Sequence, residues 1–132
     1  MTRTRDRHGF TLIELLIVVV IIGILAAIAI PKFSSTREKA FRSSMMADLK
    51  NLAAAQELYH NTHYTYHTVL ADLKAVESEG VTLTINEGTG QGWAATASHA
   101  GIASEQCGLY HGNAAPAGGD PATVPGVIAC SF

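Results

Sequence analysis

The chain has little positive charge outside its first residues. Its nine Lys/Arg and 11 Asp/Glu give a formal net charge of −2, and Arg3, Arg5 and Arg7 all lie near the start. Without these arginines and Asp6, six Lys/Arg remain against ten Asp/Glu, so the rest of the chain is mildly acidic. Because it offers no basic face to a phosphate backbone, we do not expect the isolated chain to bind nucleic acid strongly.

Cysteine is scarce as well. The chain has two cysteines, Cys107 and Cys130, and no Cys-x-x-Cys pair. Both follow a long apolar run that resembles a membrane segment, which favours an oxidising compartment and one disulfide between them. Two buried free thiols are the alternative. The sequence also has no Asn-x-Ser/Thr site.

An apolar run from Phe10 to Ile30 dominates what is present. It holds twenty-one residues and one charge, Glu14. As a helix at about 1.5 Å per residue it would be about 31 Å long, close to the thickness of a bilayer's hydrocarbon core. A chain of this size does not need a soluble helix that is apolar on every side, so the run predicts a membrane-spanning helix.

The first nine residues, MTRTRDRHG, are basic, like the start of a signal peptide. However, the apolar run is longer than a usual signal peptide core, and no clean small-x-small cleavage pattern follows it. An uncleaved signal anchor is the better general interpretation. The positive-inside rule places the arginines in the cytoplasm and the C-terminal part outside, although Lys32 and Arg37 on the far side weaken this inference.

The stretch GFTLIELL, from Gly9 to Leu16, resembles the processing motif of type IV pilins and of the related pseudopilins. The resemblance implies that residues 1–9 are a leader, which a prepilin peptidase cuts between Gly9 and Phe10. It implies that the new N-terminus, Phe10, is then N-methylated. The short leader and the phenylalanine are similar to the type IVa branch, and Pro31 stands where the family has a proline.

Glu14 is expected to have a partner. A charge at the centre of a membrane helix costs about 2.5–3.5 kcal/mol, and less near its end. The resemblance implies that Glu14 pairs with the amine of Phe10 in a neighbouring subunit during assembly. Such a pair would relieve two desolvated charges and impose a register. Alternatively, the side chain extends to the lipid headgroups from the first turn of the helix.

After the apolar run the pattern predicts an amphipathic continuation of the same helix over residues 31–60. Gly23 and Pro31 are the positions where a kink is expected. Apolar residues then recur at three- and four-residue steps, which indicates one buried face. This predicted stripe consists of Phe41, Met45, Leu49, Leu52, Gln56 and Tyr59.

Residues 61–132 are predicted to form a small antiparallel head. Thr68 is a candidate cap for a short turn, and strict alternation over residues 81–85 predicts a strand. Further strands are predicted over residues 93–98, 107–111 and 127–131. The whole is an α+β fold, a long N-terminal helix packed against a small sheet. By the resemblance, the disulfide would enclose residues 112–125 as an exposed face.

No catalytic, cofactor or metal site is expected. Glu57, His60, His63 and His67 have spacings compatible with a metal site, but the helix is predicted to end among them. His99 and His111 are interpreted as surface residues of strands. Asp120 is the only carboxylate in the loop of residues 112–125, too few for the six to eight oxygens of a calcium site. The remaining aromatic residues are assigned to packing and interfaces: Phe33, Phe41, Tyr59, Tyr64 and Tyr66.

The expected function is therefore structural, that of a type IV pilin polymerising with itself through its N-terminal helix. The resemblance implies a precursor in the inner membrane, with its head in the periplasm, and later a surface filament. Its expected partners are the peptidase that also methylates it, the pilus assembly machinery and the lipid bilayer. A pseudopilin of a type II secretion system is the nearest alternative, and an uncleaved membrane anchor carrying a binding domain is the second.

Overall fold

The computed structural model describes residues 8–132, so the expected leader lies outside it except for His8 and Gly9. The chain divides between Thr36 and Arg37 into two compact units. The order of elements is one long helix, a one-turn helix, two strands, a short 3-10 helix and two more strands. This is the α+β arrangement that the sequence predicts.

Helix α1 runs from Leu12 to His63 and has 52 residues. It continues through Pro31, so the kink expected there and at Gly23 stays a prediction. It ends three residues beyond the predicted end at His60. Tyr64 takes a left-handed backbone conformation, with φ of 57°, and its N–H donates to the His60 carbonyl at 2.8 Å, which closes the last turn.

The remaining elements form the head. Their bounds are α2 Leu70–Leu73, β1 Val81–Gly88, β2 Gly92–His99, a 3-10 helix Ala100–Ile102, β3 Gln106–Gly112 and β4 Ala129–Cys130. The four strands make one antiparallel sheet in the order β1-β2-β3-β4. Val69, at the start of α2, makes no side-chain cap, so the expectation that Thr68 caps this turn is wrong.

The core lies between α1 and one face of the sheet. Met45, Leu49 and Leu52 are fully buried, which confirms the stripe predicted from three- and four-residue spacing. They pack in one cluster with alternate residues of β2, among them Trp93 and Ala95. The small side chains of β2 leave room for the helix, because a strand places every second residue on the same face.

The C-terminal loop covers the other face of the sheet. Ala94 points away from the core cluster, yet it is fully buried. Ala114 and Ala122 of the loop are buried too, and the Tyr110 hydroxyl of β3 donates to the Thr123 carbonyl at 3.1 Å. The expectation that residues 112–125 form an exposed face is therefore wrong in part, because the sheet needs cover on this side.

A disulfide joins Cys107 and Cys130, the two cysteines expected to pair. They face each other in register on β3 and β4. Because β4 has only two residues, its ladder is too short to hold the tail alone. The disulfide closes the segment that lies across the outer face of the sheet.

Candidate functional site

Residues 8–132 provide no cover for the apolar segment of α1. Fourteen large apolar side chains between Leu12 and Ile30 are each at least 50% exposed. The most apolar window of 18 residues in α1 has a mean hydropathy of 3.2, and none of it is buried. By length and composition α1 can cross a membrane, and its backbone groups are paired within the helix, as a bilayer requires.

The first turn of α1 is closed by Thr11 and Glu14. Glu14 Oε2 accepts hydrogen bonds from the Thr11 N–H and from the Thr11 hydroxyl, both at 2.7 Å. The Thr11 hydroxyl in turn accepts the Glu14 N–H at 3.3 Å. This reciprocal arrangement is a capping box, which satisfies backbone N–H groups that no preceding turn can bind.

This role of Glu14 is not among those expected from the sequence. The signal was present, because Thr-x-x-Glu directly before an apolar run is the pattern of a capping box. The box gives Glu14 a structural use in the isolated chain. It also leaves Oε1 without a hydrogen bond to any of residues 8–132.

Gly9 and Phe10 stand immediately before this cap. Phe10 is 79% exposed, and apart from the two chain neighbours of Gly9 no described residue has an atom within 4 Å of the position where a side chain on Gly9 would begin. Both precede the first helical residue, Leu12. The expected cleavage bond and Glu14 therefore lie within six consecutive residues, and the bond itself is in exposed, non-helical chain.

In the head, several polar contacts attach α1 to the segments around it, and three of them involve Asp48, Gln56 and Arg42. Asp48 is buried and accepts hydrogen bonds from the Ser78 N–H at 2.7 Å and the Ser78 hydroxyl at 2.8 Å. Gln56 is fully buried and bonds both backbone groups of His67, donating to its carbonyl at 2.6 Å and accepting its N–H at 3.0 Å. Asp48 and Gln56 thus provide hydrogen-bond partners for segments of the chain that have no regular secondary structure.

The third contact is an ion pair between Arg42 and Glu105. The guanidinium donates to both carboxylate oxygens, with distances of 2.8 Å from Nε and 2.6 Å from Nη2. The hydrogen bonds from Arg42 lower the pKa of Glu105, and those to Glu105 raise the pKa of Arg42. The pair connects α1 to the residues just before β3.

The histidines considered for a metal site are occupied by aromatic packing. His63 stacks on Tyr59 with ring centroids 4.0 Å apart, and His60 stacks on Tyr66 at 4.4 Å. His67 Nε2 lies 2.7 Å from an oxygen of Asp72. Among residues 8–132, no group of three or more His, Cys, Asp or Glu is placed to hold a metal ion.

His99 is not a surface residue, which corrects the sequence interpretation. The residue is 6% exposed, and its ring stacks on Phe41 with centroids 3.9 Å apart. His111 does lie at the surface, near Glu57. Asp120 of the tail loop accepts the Ala122 N–H at 2.8 Å, and burial raises its pKa.

Comparison with known proteins connects these features. The family described as "Prokaryotic N-terminal methylation motif" matches residues 4–30. The type IV wide pilus major component PilA4 of Thermus thermophilus is 34% identical over 131 residues, covering 92% of this chain and 99% of that protein. The chain belongs to the type IV pilin family. The capping box and the exposed apolar helix thus lie within the matched motif of this pilin.

Relatives of a second kind match this pilin over a shorter stretch. Type II secretion system core protein G of Pseudomonas aeruginosa is 39% identical over 72 residues, and that of Klebsiella pneumoniae 36% over 72 residues. The pilin spans about half the length of these relatives, since each alignment covers 54% of the chain and 51% of the relative. None of the three relatives is named as an enzyme.

Proposed function

We propose that this pilin is the structural subunit of a type IV pilus, which polymerises through residues 10–30. The observation that carries the proposal is the match to PilA4 over nearly the whole of both chains. The fourteen exposed apolar side chains support it, because they require lipid before assembly and neighbouring subunits afterwards. Fully burying one such side chain contributes about 1.5–3 kcal/mol relative to water.

Apolar contact alone does not decide how subunits align. Lipid tails are as apolar as leucine, so moving a helix from the bilayer into a bundle brings no large hydrophobic gain. A polar contact between helices can instead fix direction and register. In this segment the single charged side chain available for that purpose is Glu14.

We further propose that Glu14 divides its two oxygens between two tasks. Oε2 keeps the cap on Thr11, as in the isolated chain. Cleavage after Gly9 exposes an amine on Phe10, and Oε1 receives the amine of a neighbouring subunit. The contact joins two different parts of the surface, so it repeats along an open filament instead of closing a ring.

The proposed life cycle follows from these steps. The precursor resides in the inner membrane with residues 10–30 in the bilayer and its head in the periplasm. The prepilin peptidase cuts it and methylates Phe10, and the assembly machinery then moves it into a surface filament. No cofactor takes part.

A subunit of a type II secretion fibre is the second candidate, because several relatives of that class reach 33–39% identity. Intact-mass analysis of natively expressed chain from sheared surface material and from washed membranes distinguishes the two. A mass that starts at methylated Phe10 and is abundant in the sheared fraction is expected of the pilus subunit. The same mass confined to membranes supports the secretion fibre, and retention of residues 1–9 in both fractions contradicts processing.

A second experiment separates the charge of Glu14 from its cap. Glu14→Gln keeps a side chain that can still close the capping box but removes the charge. Thr11→Ala weakens the cap and keeps the charge, which makes it the matched control. We expect both variants to insert in the membrane and only Glu14→Gln to lose filament yield, by tenfold or more. Normal filament yield from Glu14→Gln would refute the ion pair.

A further inference from the structure

An open groove of about 400 Å³ lies in the head, next to the point where β2 leads into the 3-10 helix. Its lining combines two residues of opposite charge, two stacked rings and two glycines. These are Arg37, Glu79, Phe41, His99, Gly80 and Gly101. The proposed assembly contact does not involve the charges in this groove.

His99 offers a single fixed donor to the groove. Its Nδ1 accepts the Gly101 N–H at 2.9 Å, so the proton of the neutral ring sits on Nε2. Nε2 lies directly over Gly80, where a Cβ atom would approach it to 2.8 Å. Within residues 8–132, no hydrogen bond to Nε2 is present, although His99 as a residue is only 6% exposed. This donor is therefore available to a ligand in the groove.

The charged residues of the groove do not neutralise each other. The Arg37 guanidinium lies over the Phe41 ring, 5.6 Å from its centroid. Glu79 lines the same groove, yet the ion pairs found within 4.0 Å in residues 8–132 include neither Arg37 nor Glu79. A simple anion would be repelled by Glu79 and a simple cation by Arg37. The arrangement fits a ligand that carries both charges.

We propose that this groove binds the headgroup of a zwitterionic aminophospholipid. The phosphate is held by Arg37 and by Nε2 of His99, and the primary ammonium by Glu79. The inference rests on the membrane-inserted precursor of the proposed function. Hydrogen bonds between such ionised groups are roughly twice as strong as neutral ones, so they can select one headgroup from another.

The position of Arg37 along α1 agrees with this ligand. Arg37 follows Ile30, the last residue of the apolar run, by seven residues of the same helix, a rise of about 10 Å. The headgroup layer extends about 5–8 Å beyond the hydrocarbon core. Helix side chains lean towards the N-terminus, and long arginine side chains extend further, so Arg37 can reach this layer.

The test measures lipid binding to the full chain in detergent by native mass spectrometry. The probes are phosphatidylethanolamine, phosphatidylglycerol and phosphatidylcholine with the same acyl chains. We expect phosphatidylethanolamine to bind about tenfold more tightly, because glycerol carries no ammonium and choline has no N–H for Glu79. Arg37→Gln should weaken binding of all three lipids. Glu79→Gln should remove only the preference for ethanolamine.

Lys39→Gln is the matched control, because Lys39 is an exposed cation of the same helix that does not line the groove. It should leave the affinities and the preference unchanged. Equal binding of the three lipids overturns the proposal, as does an ethanolamine preference that survives Glu79→Gln. An effect of Lys39→Gln as large as that of Arg37→Gln also overturns it, since it would indicate general charge attraction.

Soluble phosphoethanolamine separates the groove from the bilayer. Calorimetric titration into the detergent-solubilised chain should show saturable binding that Glu79→Gln weakens about tenfold, since the contacts to the phosphate remain. This arm works whether or not the chain is processed or assembled, so failure of the proposed pilus function would not affect it. Lack of binding in both the lipid and the soluble arm would refute the headgroup site itself.

Discussion

Replacing Gln56 should strongly lower the temperature at which the head unfolds. Gln56 is fully buried and bonds both the N–H and the carbonyl of His67. Gln56→Ala leaves these two backbone groups without a partner and opens a cavity beside Leu52. Unsatisfied buried groups cost about 1–3 kcal/mol, so we expect a loss of about 2–4 kcal/mol. For a unit of this size that corresponds to a fall in Tm of roughly 10–30 °C.

The assay is thermal unfolding of the full chain in detergent, followed by the fluorescence of Trp93, the single tryptophan, which is 2% exposed. Asn51→Ala is the control, since Asn51 is an exposed polar residue of the same helix and should change stability by less than about 0.5 kcal/mol. If Gln56→Ala unfolds at the same temperature as Asn51→Ala, the two hydrogen bonds do not hold the chain after α1.

The variant Gln56→Glu adds a test of the direction of these bonds. Its carboxylate can still accept the His67 N–H, but it would face the His67 carbonyl, which Gln56 approaches to 2.6 Å as a donor. Protonation restores one donor, so the introduced carboxyl should have a raised pKa in the folded state. The stability of this variant relative to wild type should therefore be greatest in acid and fall as the pH rises through that pKa. A flat profile would contradict the assignment of donor and acceptor.

The other predictions concern the tail, a turn and an ion pair. Replacing both cysteines removes the constraint on a loop of about 24 residues, worth roughly 3.4 kcal/mol, and should make the tail sensitive to protease; an unchanged cleavage pattern would argue against it. Gly112→Ala should destabilise the head strongly, because Gly112 has a φ of 67° and a Cβ would clash with the Gln91 carbonyl oxygen, whereas Gly118→Ala meets open space and should unfold like wild type. Because Arg42 lowers the pKa of Glu105, this pair should stabilise the head above the unfolded-state pKa and lose that contribution as the pH falls through the folded-state pKa; Glu105→Gln should flatten the acid limb of the stability profile.

The elements defined by local periodicity could be predicted from the sequence. The apolar run identifies the first half of α1, and the spacing of Met45, Leu49 and Leu52 identifies the buried face of the second half. Strict alternation from Val81 to Ile85 is enough for β1. Each of these patterns depends on neighbours a few residues apart, so no knowledge of the tertiary structure is needed.

What the sequence did not reveal depends on contacts between distant residues. His99 is buried because Phe41, 58 positions earlier, provides a flat ring beside it. The tail loop packs on the sheet because the outer face of β2 is lined with small residues such as Ala94. Its low periodicity correctly indicated a loop but carried no information about where the loop lies.

The candidate site divides in the same way. The motif from Gly9 to Glu14 could be recognised from a single sequence, because its residues are consecutive. The capping box was within reach of the same inspection and was missed, since Glu14 was interpreted only as a charge in a membrane. The groove beside His99 could not be foreseen, because its residues come from three separate segments between Arg37 and Gly101.

The contacts that Arg42, Asp48 and Gln56 make along α1 also bear on how the head would respond to a pulling force. They start at Arg42, Asp48 and Gln56, which span about 21 Å of helix. If the helices carry the tension along a filament, the force acts on these contacts in parallel and in shear, so they share it. Contacts that opened one after another would each bear the full force. A head attached in this way should stay folded while the helix that carries it is under tension.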